Sequence, residues 1–268
     1  MTPRETTVAA PFDVREFART VQGSHRDGID ASVIASAGLT TDAVRLVRVL
    51  RDLERGTLHR MRNLLVTATH KDARVTAFLT SWAFEKFWIA DALDAVLEAA
   101  GADASALEGP LRRTGAERAE RRGPILRAIA GNIAGAQIVA AHVTTGLIDE
   151  WISQAAYRRL GEAATVLAKL ASRLVELKDR HVAFLAEEAE RRLTASARAV
   201  TLTKKAIAQA AWPIGATEIP DADRSFFETA VFGDADGRTA AARIAERIAS
   251  LPGLGAEQGE TVAARLAS

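Results

Sequence analysis

The chain contains no cysteine, so disulfides, thiolate metal sites and cysteine nucleophiles are excluded. It also lacks an excess of charge. Its 35 lysines and arginines stand against 34 aspartates and glutamates, a net charge of +1. Such a balance gives no pull toward nucleic acid or an anionic membrane, and neither is expected as a partner. Strand-like alternation of apolar and polar residues is missing. The stretch MTPRETTVAAPFDVREF is charged throughout and has no apolar signal core, so a cytoplasmic location is expected. Five histidines are scattered along the chain, and no Ser/His/Asp set can be argued from them. Two glycine motifs fail on spacing. GDADG at 233–237 would place Phe232 first and Arg243 last in a calcium loop. LPGLGAEQG at 251–259 lacks the dinucleotide spacing and follows no strand.

What is present is helix-forming sequence: alanine, leucine, arginine and glutamate dominate. The patterning predicts a short helix near 12–22 and a minor one at 31–36. A long helix from a Thr40 or Thr41 cap runs to about 67. A tight turn follows at Thr69-His70-Lys71-Asp72, with Asp72 capping a second long helix that stops at Gly101. The segment 102–123 reads as a connection. Within it RRTGAERAERRGPILR, at 112–127, reads as a solvated link, with an acidic partner as the alternative. A third long helix is expected from near Pro124 to about Leu160, and a fourth over about 163–194. Shorter helices fill the remainder, broken at Trp212-Pro213-Ile214-Gly215 and Ile219-Pro220. The uncharged stretch 128–148 is long enough to span a bilayer. Asn132, Gln137, His142, Thr144 and Thr145 make it read as a buried helix instead, with no membrane span. The expected architecture is all-α: one domain over 1–268 with a four-helix bundle at about 41–194 and one crossover connection. A 1–40 extension and a 195–268 helical tail pack around it.

Each long helix carries charge inside its apolar stripe. The first reads Val47, Leu50, Glu54, Leu58, Met61, Leu65. The second reads Val75, Leu79, Trp82, Lys86, Ile89, Leu93, Leu97. The third reads Val139, Val143, Gly146, Glu150, Tyr157, and the fourth Leu167, Ala171, Leu174, Lys178, His181, Leu185. The order is therefore Glu, Lys-x-x-Ile, Glu, Lys-x-x-His. A lone lysine on such a face often snorkels to water, and a lone histidine is usually a hydrogen-bonded core residue. Two lysines at equivalent points of the two halves argue for a common centre. Trp82, Phe84, Phe87 and Trp88 are expected as core packing, and Tyr157 as a core hydroxyl bonded to Glu150.

WAFEKFWIADALDAVLEAAG resembles the second-helix motif of ferritin-like di-iron proteins, in the branch near the acyl-carrier-protein desaturases. Trp82 and Glu85 match that motif. Lys86 stands where the ligand Glu would be, and Ile89 where the ligand His would be. LIDEWISQAAYRRL is similar to the third-helix motif at Glu150 and Tyr157. KDRHVAFLAEEAERRL resembles the fourth-helix pattern at His181 and Phe184, with Lys178 replacing its Glu. The resemblance spans about 41–194. It implies a dinuclear centre whose ligands are largely replaced.

Two glutamates and two lysines would neutralise one another without metal. A dication placed there would meet two ammoniums, each repelling it by ~8 kcal/mol at 4 Å and an effective dielectric near 20. The expectation is a metal-free Lys–Glu cluster of Glu54, Lys86, Glu150 and Lys178, with Ile89 and His181 at the remaining former ligand positions and Trp82, Glu85 and Tyr157 nearby. No cofactor and no catalytic residue are expected. The expected role is structural, ligand-binding or interaction, with homodimerisation through the long helices. Ala134, Ala136, Ala140 and Ala141 would allow close helix contact, and the family's channel implies a cavity for an acyl or other hydrophobic ligand. The alternative is an iron or manganese oxidase, oxygenase or desaturase-like oxidoreductase with displaced ligands from Glu54, Glu85, Glu150, Glu176, Asp179 and His181, or a mononuclear remnant at Glu150 and His181.

Overall fold

A computed structural model describes residues 10–102 and 135–267. All regular structure among the described residues is helical. In chain order the helices are α1 (Val14–Arg19), α2 (Ala31–Ala37), α3 (Thr41–Arg55), α4 (Thr57–Leu65), α5 (Ala73–Ala99), α6 (Ile138–Ala163), α7 (Ala168–Ala195), α8 (Ala197–Gln209), α9 (Asp221–Phe232), α10 (Ala235–Ala249) and α11 (Ala256–Leu266). The predicted start of the third long helix near Pro124 and the basic stretch at 112–127 lie outside the described residues. Among the described residues no helix is long and apolar enough to cross a membrane.

Local chemistry sets most boundaries. Thr40 accepts from Ala43 N at 3.2 Å and opens α3. Asp72 accepts from Val75 N at 3.0 Å and opens α5. At the far end of α5, Gly101 takes φ +64°. Ala102 N then reaches Leu97 O at 3.0 Å and Gly101 N reaches Glu98 O at 3.1 Å, a Schellman closure that requires the left-handed residue. The GDADG stretch is a helix start, with Asp234 accepting from Gly237 N at 2.7 Å to cap α10.

One predicted helix is in fact two. The stretch from Thr41 breaks at Gly56, where the Arg60 side chain folds back. Arg60 donates to the freed Leu53 carbonyl, to Thr57 at 3.3 Å and to Glu218 at 2.9 Å. A β-carbon on Gly56 would occupy that guanidinium's space. The break turns the stripe, so Leu58, expected in the core, is 44% exposed.

Helices α3 and α5 run antiparallel, since Glu54 meets Lys86 at 3.1 Å while the earlier Arg51 meets the later Asp94 at 3.2 Å. Helices α6 and α7 do the same: Gly146 lies against Leu185, Glu150 against Lys178, and Gln154 against the Val175 carbonyl. The core fills the space between these pairs, and Ile89, Leu93, Leu147, Ile148 and Leu174 are wholly enclosed. Helix α1 closes one side with an aromatic stack. Phe17 lies 5.3 Å from Phe78, and Phe78 lies 3.9 Å from Phe184. The C-terminal helices dock through Asp149, which accepts from Ile214 N at 2.7 Å, and through Arg45 to Asp223 at 2.8 Å.

Helices α10 and α11 approach with a glycine at the crossing. A β-carbon on Gly259 would fall inside contact distance of the Ala245 carbonyl oxygen and 2.9 Å from its carbon. On propensity alone, alanine within a helix gains ~1 kcal/mol over glycine. Because the obstruction here is backbone, Gly259→Ala is expected to lower stability by about 1–3 kcal/mol. Chemical denaturation of the two proteins decides between these opposite signs.

Candidate functional site

Four helices each send one charged side chain to a common centre. Glu54 comes from α3, Lys86 from α5, Glu150 from α6 and Lys178 from α7. Lys86 Nζ lies 3.1 Å from Glu54 Oε2 and 2.8 Å from Glu150 Oε1. Lys178 Nζ lies 2.7 Å from Glu54 Oε1 and 3.2 Å from Glu150 Oε2. Every carboxylate oxygen therefore faces an ammonium, and each ammonium bridges both carboxylates. The four residues are at most 4% exposed. Opposite charges occupy the edges of this square and like charges its diagonals. With edges of about 4 Å the four attractions are worth ~4 kcal/mol each and the two repulsions ~3 kcal/mol each, at an effective dielectric near 20. The surplus roughly offsets the several kcal/mol that each ion loses on leaving water.

Neutral groups complete the coordination. Trp82 Nε1 donates to Glu150 Oε1 at 2.6 Å, and Tyr157 OH donates to Glu54 Oε1 at 3.1 Å. The tyrosine's partner is thus Glu54, not the Glu150 expected from sequence, because α3 presents its carboxylate across the core. The same two rings lie beside the cations. Lys86 Nζ is 5.3 Å from the Trp82 ring and Lys178 Nζ is 5.3 Å from the Tyr157 ring.

A second pair adjoins the square. His181 Nε2 meets Glu85 Oε2 at 2.7 Å, and its Nδ1 stands 3.5 Å from Glu150 Oε1. Glu85, wholly buried, also accepts from Gln22 N at 2.7 Å and faces Arg180 Nη1 at 3.5 Å. Ile89 packs in the hydrophobic core. Glu176 and Asp179 are exposed on α7 and do not join the centre. Among the described residues, no group of three or more histidines, aspartates and glutamates could hold a metal ion.

Proton affinities follow the geometry. Burial pushes the Glu54 carboxyl up, but the Lys178 and Lys86 ammoniums outweigh it and hold it below the usual range. Burial raises Glu150 likewise, and the same two cations carry it well below. Lys86 is disfavoured by burial and then raised further by Glu150 and Glu54. Tyr157 is held well above its ordinary value by burial and by Glu54. Asp149, next to Glu150, goes the other way: burial lifts it to about 6, against the pull of Lys86 and Arg60. His142, bonded through Nδ1 to Thr69 at 2.8 Å, is pushed by burial to about 4.

Several neighbours were not apparent from spacing. Gln22 reaches the site from the segment before α2, while Arg180 and Asp149 adjoin His181 and Glu150 on α7 and α6 but lie off the apolar stripes. Phe84 and Phe87, expected in the core, are 45% and 50% exposed on the outer face of α5. Ala140 and Ala141, expected to face a partner, are buried within the chain itself, and Ala134 lies outside the described residues. Comparison of the chain with protein-family models, with curated proteins and with solved structures finds no match.

The square predicts a particular mutational pattern. Lys86→Met leaves two buried carboxylates on one lysine and is expected to cost ~3–5 kcal/mol at pH 7. Adding Glu54→Gln removes the surplus charge and is expected to restore most of that loss. A double-mutant cycle by denaturation measures the coupling, and additive losses would contradict the shared square.

The pH profile separates two signs. Glu54 and Glu150 have lowered folded values, so their contribution is complete above about 4.5 and is lost as pH falls further. Asp149 has a raised folded value, so its protonated form favours folding and that benefit disappears as pH rises from 3.8 to about 6. His142 has a lowered folded value and costs stability as pH falls from 6.5 to about 4, opposing Asp149 over the same range. Thermal melts are therefore expected to show little net change between pH 6 and 4.5 and a steep fall below 4. Asp149→Asn should remove the carboxyl's compensation, so that stability falls steadily from about pH 6.5 with the steep acid fall left in place.

Proposed function

We propose that this chain is a ferritin-like four-helix bundle in which the Lys–Glu square stands in place of a dinuclear metal centre. On this reading it is a non-catalytic structural and binding protein. The observation that carries the proposal is the double bridging of Glu54 and Glu150 by Lys86 and Lys178, all within 3.2 Å. Two antiparallel pairs, α3 with α5 and α6 with α7, meeting at one charged residue from each helix, support the bundle. The positions of Trp82, Glu85, Lys86 and Ile89 in α5, and of Lys178 and His181 in α7, support the ferritin-like assignment.

The residues do not fit the iron or manganese pair that such a bundle would imply. Two ammoniums occupy the bridging region and engage all four carboxylate oxygens. His181 Nε2 is committed to Glu85 at 2.7 Å. Binding a dication would require displacing both lysines from the carboxylates that neutralise them, which strands two buried ammoniums beside the ion. No oxidative step follows from such a donor set.

The test is metal content before and after carboxylates are restored. Protein produced with iron and manganese supplied, and purified without chelator, is expected to hold well below one ion per chain. The triple variant Lys86→Glu, Ile89→His, Lys178→Glu is expected to melt lower than wild type without metal. Added divalent ion should raise its melting temperature and bind at about two ions per chain. Stoichiometric metal on the wild-type protein would overturn the proposal.

A further inference from the structure

We propose that the cleft between residues 22–24 and the first turns of α7 binds a small molecule bearing a phosphoryl group. The cleft has a volume of about 990 Å³, with Gln22 and Ser24 on one wall and Lys169, Ser172, Arg173 and Arg180 on the other. Three cations face it against the single carboxylate of Glu176. Lys169 and Arg173 are four residues apart on one helix, so their charges share a face and repel. Both are exposed, and neither makes an ion pair or hydrogen bond among the described residues. Other arginines beside the same helices are paired, as Arg26 is with Asp91 at 2.8 Å and Arg74 with Glu188 at 3.0 Å.

The cleft is also built rather than incidental. Arg180 is fixed by Thr20 Oγ1 at 2.9 Å, by the Thr20 carbonyl at 3.1 Å and by the Phe17 ring at 4.8 Å. Arg173 lies along the turn that follows Ser24, with Nη1 placed 3.2 Å from where a Gly28 β-carbon would be. In that turn His25 is fully enclosed, and neither ring nitrogen has a hydrogen-bond partner. Burial and the Arg173 charge lower its proton affinity, so it adds no cation to the wall.

The chemistry selects the ligand class. A guanidinium fork, an ammonium and the Ser172 hydroxyl, which makes no hydrogen bond among the described residues, supply donors in several directions. A tetrahedral phosphoryl group presents three acceptor oxygens and up to two charges to such a set. The open volume beyond it leaves room for an organic moiety against Gln22 and Ser24. Arg180 ties the cleft to the interior, since its guanidinium faces Glu85, the partner of His181. The cleft stands on residues outside the Lys–Glu square, so this inference does not depend on the metal-free reading.

The experiment is calorimetric titration of the full chain with inorganic pyrophosphate at fixed ionic strength, with citrate as a polycarboxylate control. One saturable pyrophosphate site per chain is expected, with citrate binding more weakly. Arg173→Gln and Lys169→Gln should each weaken pyrophosphate by about tenfold, the loss of one charge-assisted hydrogen bond. Because neither side chain has an ion-pair or hydrogen-bond partner among the described residues, the melting temperatures of the unliganded variants should match wild type. The absence of saturable heat would overturn the proposal, as would wild-type affinity retained in both variants or tighter binding of citrate.

Discussion

The interior of this protein depends on charge neutrality among four side chains that arrive from four different helices. Any one of Glu54, Lys86, Glu150 and Lys178 would be costly to bury alone. Together each charge has two opposite neighbours near contact distance, and the like charges are separated by the diagonals. Burial that would otherwise drive a carboxylate to take up a proton, or an ammonium to lose one, is overridden by those neighbours. The net gain in stability from such a group is small. Its consequence is cooperative: no helix can leave, rotate or slide by a turn without stranding charge in the apolar core.

Around the square, the remaining polar groups divide by what they satisfy. Trp82 and Tyr157 each donate to a glutamate that already faces two ammoniums, so they use lone pairs that the cations leave open. Glu85 and His181 form a separate pair, tied to the N-terminal segment through Gln22 and Arg180. The segment before α2 is therefore part of the site's construction. Its aromatic residues seal the side of the core at which His181 lies, Phe17 standing 6.1 Å from the imidazole.

The helical elements and the charged centre were legible in the sequence because both rest on local periodicity. Glutamate and lysine set at stripe positions of four helices can only meet once those stripes are packed together. Features that depend on distant residues were not legible. The Gly56 break arises from Arg60 and Glu218 folding onto the backbone, and no local signal distinguishes it from a tolerated helical glycine. The stripe therefore read through to Leu58, which in fact turns outward. Phe84 and Phe87 read as core by composition, yet the face of α5 that carries Lys86 cannot also carry them. Tyr157 lies seven residues, about two helical turns, beyond Glu150, and its partner was set by the crossing of α3 rather than by its own helix.

Tyr157 is the only tyrosine in the chain. Its hydroxyl touches Glu54 inside the square, and its ring lies against Lys178. Tyrosine absorbance and Raman signals of this protein consequently arise from one buried ring at the meeting point of its main helices. The molecule carries its own optical reporter of the state of its centre, with no label and no background from other phenols.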